Sequence, residues 1–140
     1  MLKWETRGSE TLLNVDKLAR PFTYRLRIHQ DGQTREKVAD IPETFNYLLG
    51  LHVDTRKVYH DRERRYLVYR GRIDHRSIAV IWRETEGWQK VDLERDRHFV
   101  DEQGLTEGMD EVFVNGDSFI PNAKALEPVF KARMFAPVES

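Results

Sequence analysis

Between Asp54 and Arg76 the chain carries eight basic residues against four acidic ones. Six of them, Arg62, Arg64, Arg65, Arg70, Arg72 and Arg76, surround a predicted hairpin with Tyr66 and Tyr69 interleaved. Guanidinium forks match phosphate oxygens, and phosphate contacts dominate non-specific DNA affinity. These six arginines are therefore the candidate nucleic-acid-binding residues. Arg25 and Arg27 share one face of an earlier predicted strand and could add to them. The same pattern also suits a hairpin edge kept soluble by its charges. From Glu84 to Glu111 the balance reverses to three basic and ten acidic residues. One stretch could face phosphate and the other could not, although each also reads as a solvated face.

Other chemistries find less support. A restriction-type nuclease needs an acidic residue two positions before a lysine, to hold a divalent metal and activate water. None of the seven lysines has one. His60-Asp61 and Asp74-His75 sit in charged turns and do not make a ligand set. There is no cysteine and no Gly-x-Ser-x-Gly. Ser118, after Asn115-Gly116-Asp117, lies at a strand exit, where open α/β sheets often place active residues, but the same residues are ordinary turn formers. Transfer of a methyl group to an amine needs a Pro-Pro-aromatic tetrapeptide and a Gly-rich strand-to-helix turn, and neither occurs. The chain is not expected to methylate by itself. The alternative enzymatic reading is a small hydrolase-like α/β enzyme with its site at strand ends near Asp74, Arg83 and Asp117.

These residues need a scaffold. A chain of 140 residues with 34% charged and 39% hydrophobic residues can bury one core. It has no apolar run of membrane-spanning length and no signal-like opening. With no cysteine, a cytoplasmic setting is expected. Ile41 to Val53 reads as one capped helix turning into a strand. Pro42 suits a first helical position. Glu43 suits the positive end of the helix dipole, Phe45, Leu48 and Leu49 form one apolar face, and Gly50 suits a left-handed cap. Of its polar residues, Glu43 is assigned first to the helix start; Thr44 and Asn46 have no evident partner.

Phe22 to Ile28 alternates as a half-buried strand. Asp31-Gly32 signals a turn, and Thr34 to Ala39 reads as a polar edge strand. Further strands are expected at Leu51–Tyr59, Tyr66–Tyr69, Ser77–Trp82 and Glu111–Val114. The uninterrupted apolar run Ile78–Trp82 belongs at the sheet centre, with Trp82 in the core. Asp92 is expected to cap a helix running to about Glu102. Strand, helix and strand from Ile78 to Val114 make a βαβ unit. Leu12, Leu13, Val15 and Leu18 suggest a short buried opening segment. Pro121 to Phe135 reads as a short helix broken near Pro128. The expected class is mixed α+β: one domain over residues 1–140, with a mixed sheet, a central βαβ unit, antiparallel hairpins and packed helices.

Three phrases carry a resemblance: Glu43-Thr-Phe-Asn-Tyr-Leu-Leu-Gly50, Val80-Ile-Trp-Arg83 and Glu111-Val-Phe-Val-Asn-Gly-Asp117. Glu5-Thr-Arg-Gly-Ser9, Leu12-Leu-Asn14 and Pro21-Phe-Thr-Tyr24 extend it in order along nearly the whole chain. Together they resemble the C-terminal region of adenine-specific DNA methyltransferases, notably the modification subunits of type III restriction systems. The resemblance implies an accessory module of an N6-adenine methyltransferase that contacts DNA or docks a sister methyltransferase or restriction subunit. It carries over no catalytic residue. S-adenosylmethionine is implied for the parent enzyme and no cofactor for this chain, which would be an excised domain or a free-standing fragment.

Overall fold

The computed structural model describes residues 2–5, 21–22, 25–30 and 33–134. The class is mixed α+β. Strands β1 (Leu2–Glu5), β2 (Arg25–Gln30) and β3 (Gln33–Asp40) form an antiparallel three-stranded sheet in the order β1-β2-β3. A second sheet has five strands in chain order: β4 (His52–Asp61), β5 (Arg64–Ile73), β6 (Arg76–Arg83), β7 (Glu111–Val114) and β8 (Ala123–Ala125). β4, β5 and β6 are antiparallel neighbours, whereas β6, β7 and β8 run parallel. Helix α1 (Ile41–Leu49) leads into β4, α2 (Lys90–Glu102) joins β6 to β7, and α3 (Glu127–Met134) follows β8.

The expected βαβ unit is present, and β6 is the middle strand of its sheet. Its side chains alternate between two cores. Ile78, Val80 and Trp82 join Ile41, Phe45, Leu67, Tyr69, Phe113, Leu126 and Phe130 under α1 and α3. Ala79 and Ile81 join Tyr66, Val68, Val100, Leu105, Val112, Val114 and Ile120 under α2. A strand facing two cores needs no polar face, which is why its sequence has none.

Helix α1 forms as its residues dictate. Asp40 is the N-cap, accepting from the Glu43 amide at 3.3 Å, and Pro42 lies in the first turn. Gly50 closes the helix at φ 78°, its amide bonded to the Tyr47 carbonyl at 3.2 Å. The buried face centres on Phe45, whose ring meets Trp82 edge-on at 5.8 Å and Phe130 at 5.6 Å. Thr44 donates to the Asp40 carbonyl at 2.6 Å. Asn46 is buried, and its side-chain amide makes no hydrogen bond among the described residues.

Several boundaries differ from expectation. Phe22 lies in a turn, and β2 starts at Arg25. The strands β2 and β3 stand in their own sheet, with β3 at its edge. β5 runs past the expected end at Tyr69 and through Gly71, where the β4 backbone comes too close for any side chain. A Cβ on Gly71 would stand 2.1 Å from the His52 carbonyl oxygen, beside the bulge between Val53 and Thr55. The turns shrink to Arg62-Glu63 and Asp74-His75, with Arg62 at φ 58° and Asp74 at φ 56°.

The N-cap of α2 is Gln89. Asp92 sits inside the first turn, and its carboxylate reaches back to accept the Gln89 amide at 2.8 Å. Ala123–Ala125 is a strand, because its backbone completes a parallel ladder on β7. Pro128 lies in the first turn of α3, where its missing amide donor is not needed. The expected buried segment with Leu12, Leu13, Val15 and Leu18, the Asp31-Gly32 turn and Phe135 lie outside the described residues.

Candidate functional site

The six candidate arginines do not form one patch. Arg64 is half-buried, ion-paired with Asp92, and its guanidinium lies 4.7 Å from the Trp88 ring centre. Arg70 donates to the Gly104 and Leu105 carbonyls at 2.8 and 3.0 Å, tying β5 to the end of α2. Arg72 pairs with Asp54 at 3.4 Å, and Arg76 pairs with Glu111. Arg62, in the turn, and Arg65 remain exposed without an ion pair among the described residues. Arg65 places its guanidinium 4.9 Å from the Phe22 ring centre. Arg72 and Arg76 also lie at the far end of the hairpin, on the order of 30 Å from Arg62 at roughly 3.3 Å per strand residue. Arg25 and Arg27 fall on β2; the placement of their side chains lies outside what is described.

Two other cations stand with Arg62 and Arg65. Residues directly opposite on paired strands share a face. Arg56 opposes Tyr69, Val58 opposes Leu67 and His60 opposes Arg65, so all three point to the α1 side, while Lys57 opposes Val68 on the α2 side. β4 is exposed along almost its whole length; only Tyr59, packed against the α2-side core, and Asp61 are partly covered. Arg56 Nε donates to the Tyr69 hydroxyl at 3.4 Å, and that hydroxyl donates to Glu43 Oε1 at 2.8 Å. Lys57 has no ion pair among the described residues. The acidic groups of the hairpin tip are occupied: Arg95 holds Asp61 at 3.0 Å and Glu63 at 3.6 Å. Among the described residues, the hairpin cations without an ion pair are thus Arg56, Lys57, Arg62 and Arg65. Strand alternation was the signal for the first two, once the strand is seen to be uncovered.

Beneath the hairpin lies a buried polar network. Arg83, at the C-terminal end of β6, is 1% exposed. It pairs with Asp96 of α2, donates to the Asn115 carbonyl, and reaches the Asp117 carbonyl at 3.1 Å. Asn115 brackets the Arg83 backbone, accepting its amide at 2.8 Å and donating to its carbonyl at 2.7 Å. The Tyr66 hydroxyl donates to the other Asp96 oxygen at 2.7 Å. Burial pushes the Asp96 carboxyl above the ordinary aspartate range, and Arg83 and Tyr66 pull it back. Tyr66 is pushed well above the usual phenol range by burial and by the Asp96 charge. Trp88 covers the guanidinium at 5.4 Å.

Comparison finds no match with any protein-family model, curated protein or solved structure. The site must be read from its own geometry. Asp74, Arg83 and Asp117 do not converge. Arg83 meets the Asp117 backbone, whereas Asp74 lies in the turn before β6, at the opposite end of that strand. A cleft of about 410 Å³ opens on the outer face of α2, lined by Glu94, Arg97, His98, Asp101 and Phe119, and contains none of the three. The Ser118 hydroxyl accepts the Ile120 amide at 2.9 Å, which is turn chemistry. Among the described residues no three His, Asp or Glu side chains gather as a metal site, and no helix is long and apolar enough to cross a membrane.

The two buried tyrosines set an alkaline limit. Tyr69 is pushed up to about 12, chiefly by burial. The folded chain keeps these phenolic protons where the unfolded chain, near the ordinary value of 10.0, has lost them. The contribution of Tyr69 is full below pH 10.0 and is lost as pH rises through about 12, and that of Tyr66 persists to still higher pH. In an alkaline titration, part of the phenolate absorbance should therefore rise only together with loss of circular dichroism. Full phenolate absorbance with native dichroism intact would contradict this.

Proposed function

We propose that this chain is a non-catalytic, DNA-contacting module of an N6-adenine-specific DNA methyltransferase assembly of a restriction-modification system. The observation that carries the DNA contact is the outer strand of the β4–β5 hairpin: it is exposed from His52 to Val58 and offers Arg56 on one face, Lys57 on the other and Arg62 at the turn. Arg65 joins Arg56 on the α1 side. An exposed edge strand can lie along a phosphate backbone, and four cations without an ion pair among the described residues suffice for salt-dependent phosphate contact. The ordered resemblance along the chain supplies the methyltransferase context, in which S-adenosylmethionine belongs to the parent enzyme. The parent or a sister subunit is the protein partner, and the setting is the cytoplasm, which a chain without cysteine suits.

The test is equilibrium binding of a labelled duplex across a salt series. Affinity should fall with salt, and Arg56→Ala, Lys57→Ala, Arg62→Ala and Arg65→Ala should each weaken binding and reduce the salt slope by about 1. Arg72→Ala, at the far end of the hairpin, should leave both unchanged. Absence of binding at low salt, or an Arg72→Ala effect equal to the others, would overturn the proposed interface.

A further inference from the structure

We infer that Tyr47 is a stacking platform for an unpaired nucleobase, held beside the phosphate-contacting strand. The inference rests on the DNA-contact reading above and specifies its ligand.

Tyr47 is 69% exposed, against 41% for Phe119. Its ring makes no aromatic contact or hydrogen bond among the described residues. The helix beneath it is fixed at both ends, by Asp40 and by Gly50, and anchored through the wholly buried Phe45. The ring therefore projects from a rigid support instead of a loop.

Its position relative to the basic strand follows from the helix period. Tyr47 stands four residues after Glu43, so the two share the outer face of α1. Glu43 takes the Tyr69 hydroxyl, and Arg56 donates to that same hydroxyl. This chain of bonds sets the outer face of α1 beside β4. On the α1-facing side of β4, Arg56, Val58 and His60 are exposed, so they form the floor of an open shelf with α1 as its wall.

Arg56 on the floor and Arg65 opposite His60 match the backbone of a strand, and an aromatic wall offers a face on which any base can stack. A groove of basic residues flanked by aromatic rings is how single-stranded nucleic acid is gripped without sequence preference. A closed duplex has no free base face to offer Tyr47, so the ring would add affinity only where a base is unpaired.

The experiment compares a single-stranded oligonucleotide with the same sequence as duplex, for the full chain and its variants. The wild type should bind the single strand more tightly than the duplex. Tyr47→Ala should weaken single-strand binding about ten-fold or more, with no change in the salt slope or in duplex affinity. Tyr47→Trp should restore it, and Arg56→Ala should lower the salt slope on both DNAs. Because Tyr47 is exposed, unchanged melting of the variants verifies the fold. Duplex binding with Tyr47→Ala equal to wild type on the single strand would overturn the platform alone, as would failure of Tyr47→Trp to restore affinity. Absence of binding to either DNA at low salt would overturn the platform together with the DNA-contact reading.

Discussion

Replacing Asp96 by alanine should remove about 3–5 kcal/mol of folding stability, measured by urea denaturation. The Asp96 side chain is fully buried and that of Arg83 is 1% exposed, so truncation leaves a buried guanidinium under the Trp88 ring without its carboxylate partner. Arg83 cannot escape by losing its proton, and its fork is fixed by the Asn115 and Asp117 carbonyls. The Tyr66 hydroxyl loses its acceptor in the same step. The pair itself need not be stabilising, because taking two charges out of water costs about as much as their attraction returns. Combining Arg83→Met with Asp96→Leu should therefore recover much of what Asp96→Ala loses. A loss below about 1 kcal/mol for Asp96→Ala would show that the site rearranges to admit water and that the network does not lock α2 to the sheet.

Phe45→Ala should cost about 3–5 kcal/mol by the same measurement. The ring is wholly buried and touches Trp82, Phe113 and Phe130, so it joins α1 to β6, β7 and α3 at one point. Neighbouring rings belong to three different elements and cannot all close on the cavity. Phe45→Leu should recover a good part of the loss, since it restores volume without the edge-on ring contacts. Equal stability of Phe45→Ala and wild type would mean that α1 is held chiefly by its links to α3 and β3.

How legible these features were differs by element. Helix α1 could be read to within a residue because Pro42, Glu43, the Phe45–Leu48–Leu49 face and Gly50 all state the same structure. β6 declared its central position through an apolar run that only two-sided cover explains. The separate β1–β2–β3 sheet was not legible, since alternation tells which way side chains point and not which strands pair. The strand at Ala123–Ala125 was hidden because its pairing is made by backbone alone.

The arginines show the limit most directly. Their number was readable, but which of them meet a carboxylate depends on Asp92, Asp54 and Glu111, brought in from α2, β4 and β7. The buried network left one faint trace. Leu93, Asp96 and Val100 lie on one stripe of α2, so an acidic residue sits on the inward face. In a helix crowded with charges that stripe is easily taken for noise, and nothing in the sequence places Arg83 opposite it.

The uncovered state of β4 has an energetic consequence. The centre of the sheet opens only if both cores open, but β4 is held by its ladder to β5 and by a few side-chain links, chiefly at Arg56, Tyr59 and Asp61. Local opening free energies follow burial of this kind, so stability should decline across the sheet from β6 outwards to β4. The strand that carries the open cations is then also the part best able to fray and re-form without disturbing Phe45 or Arg83. A ligand settling on it would spend little on deforming the core, and the order it imposed would stay local to the hairpin.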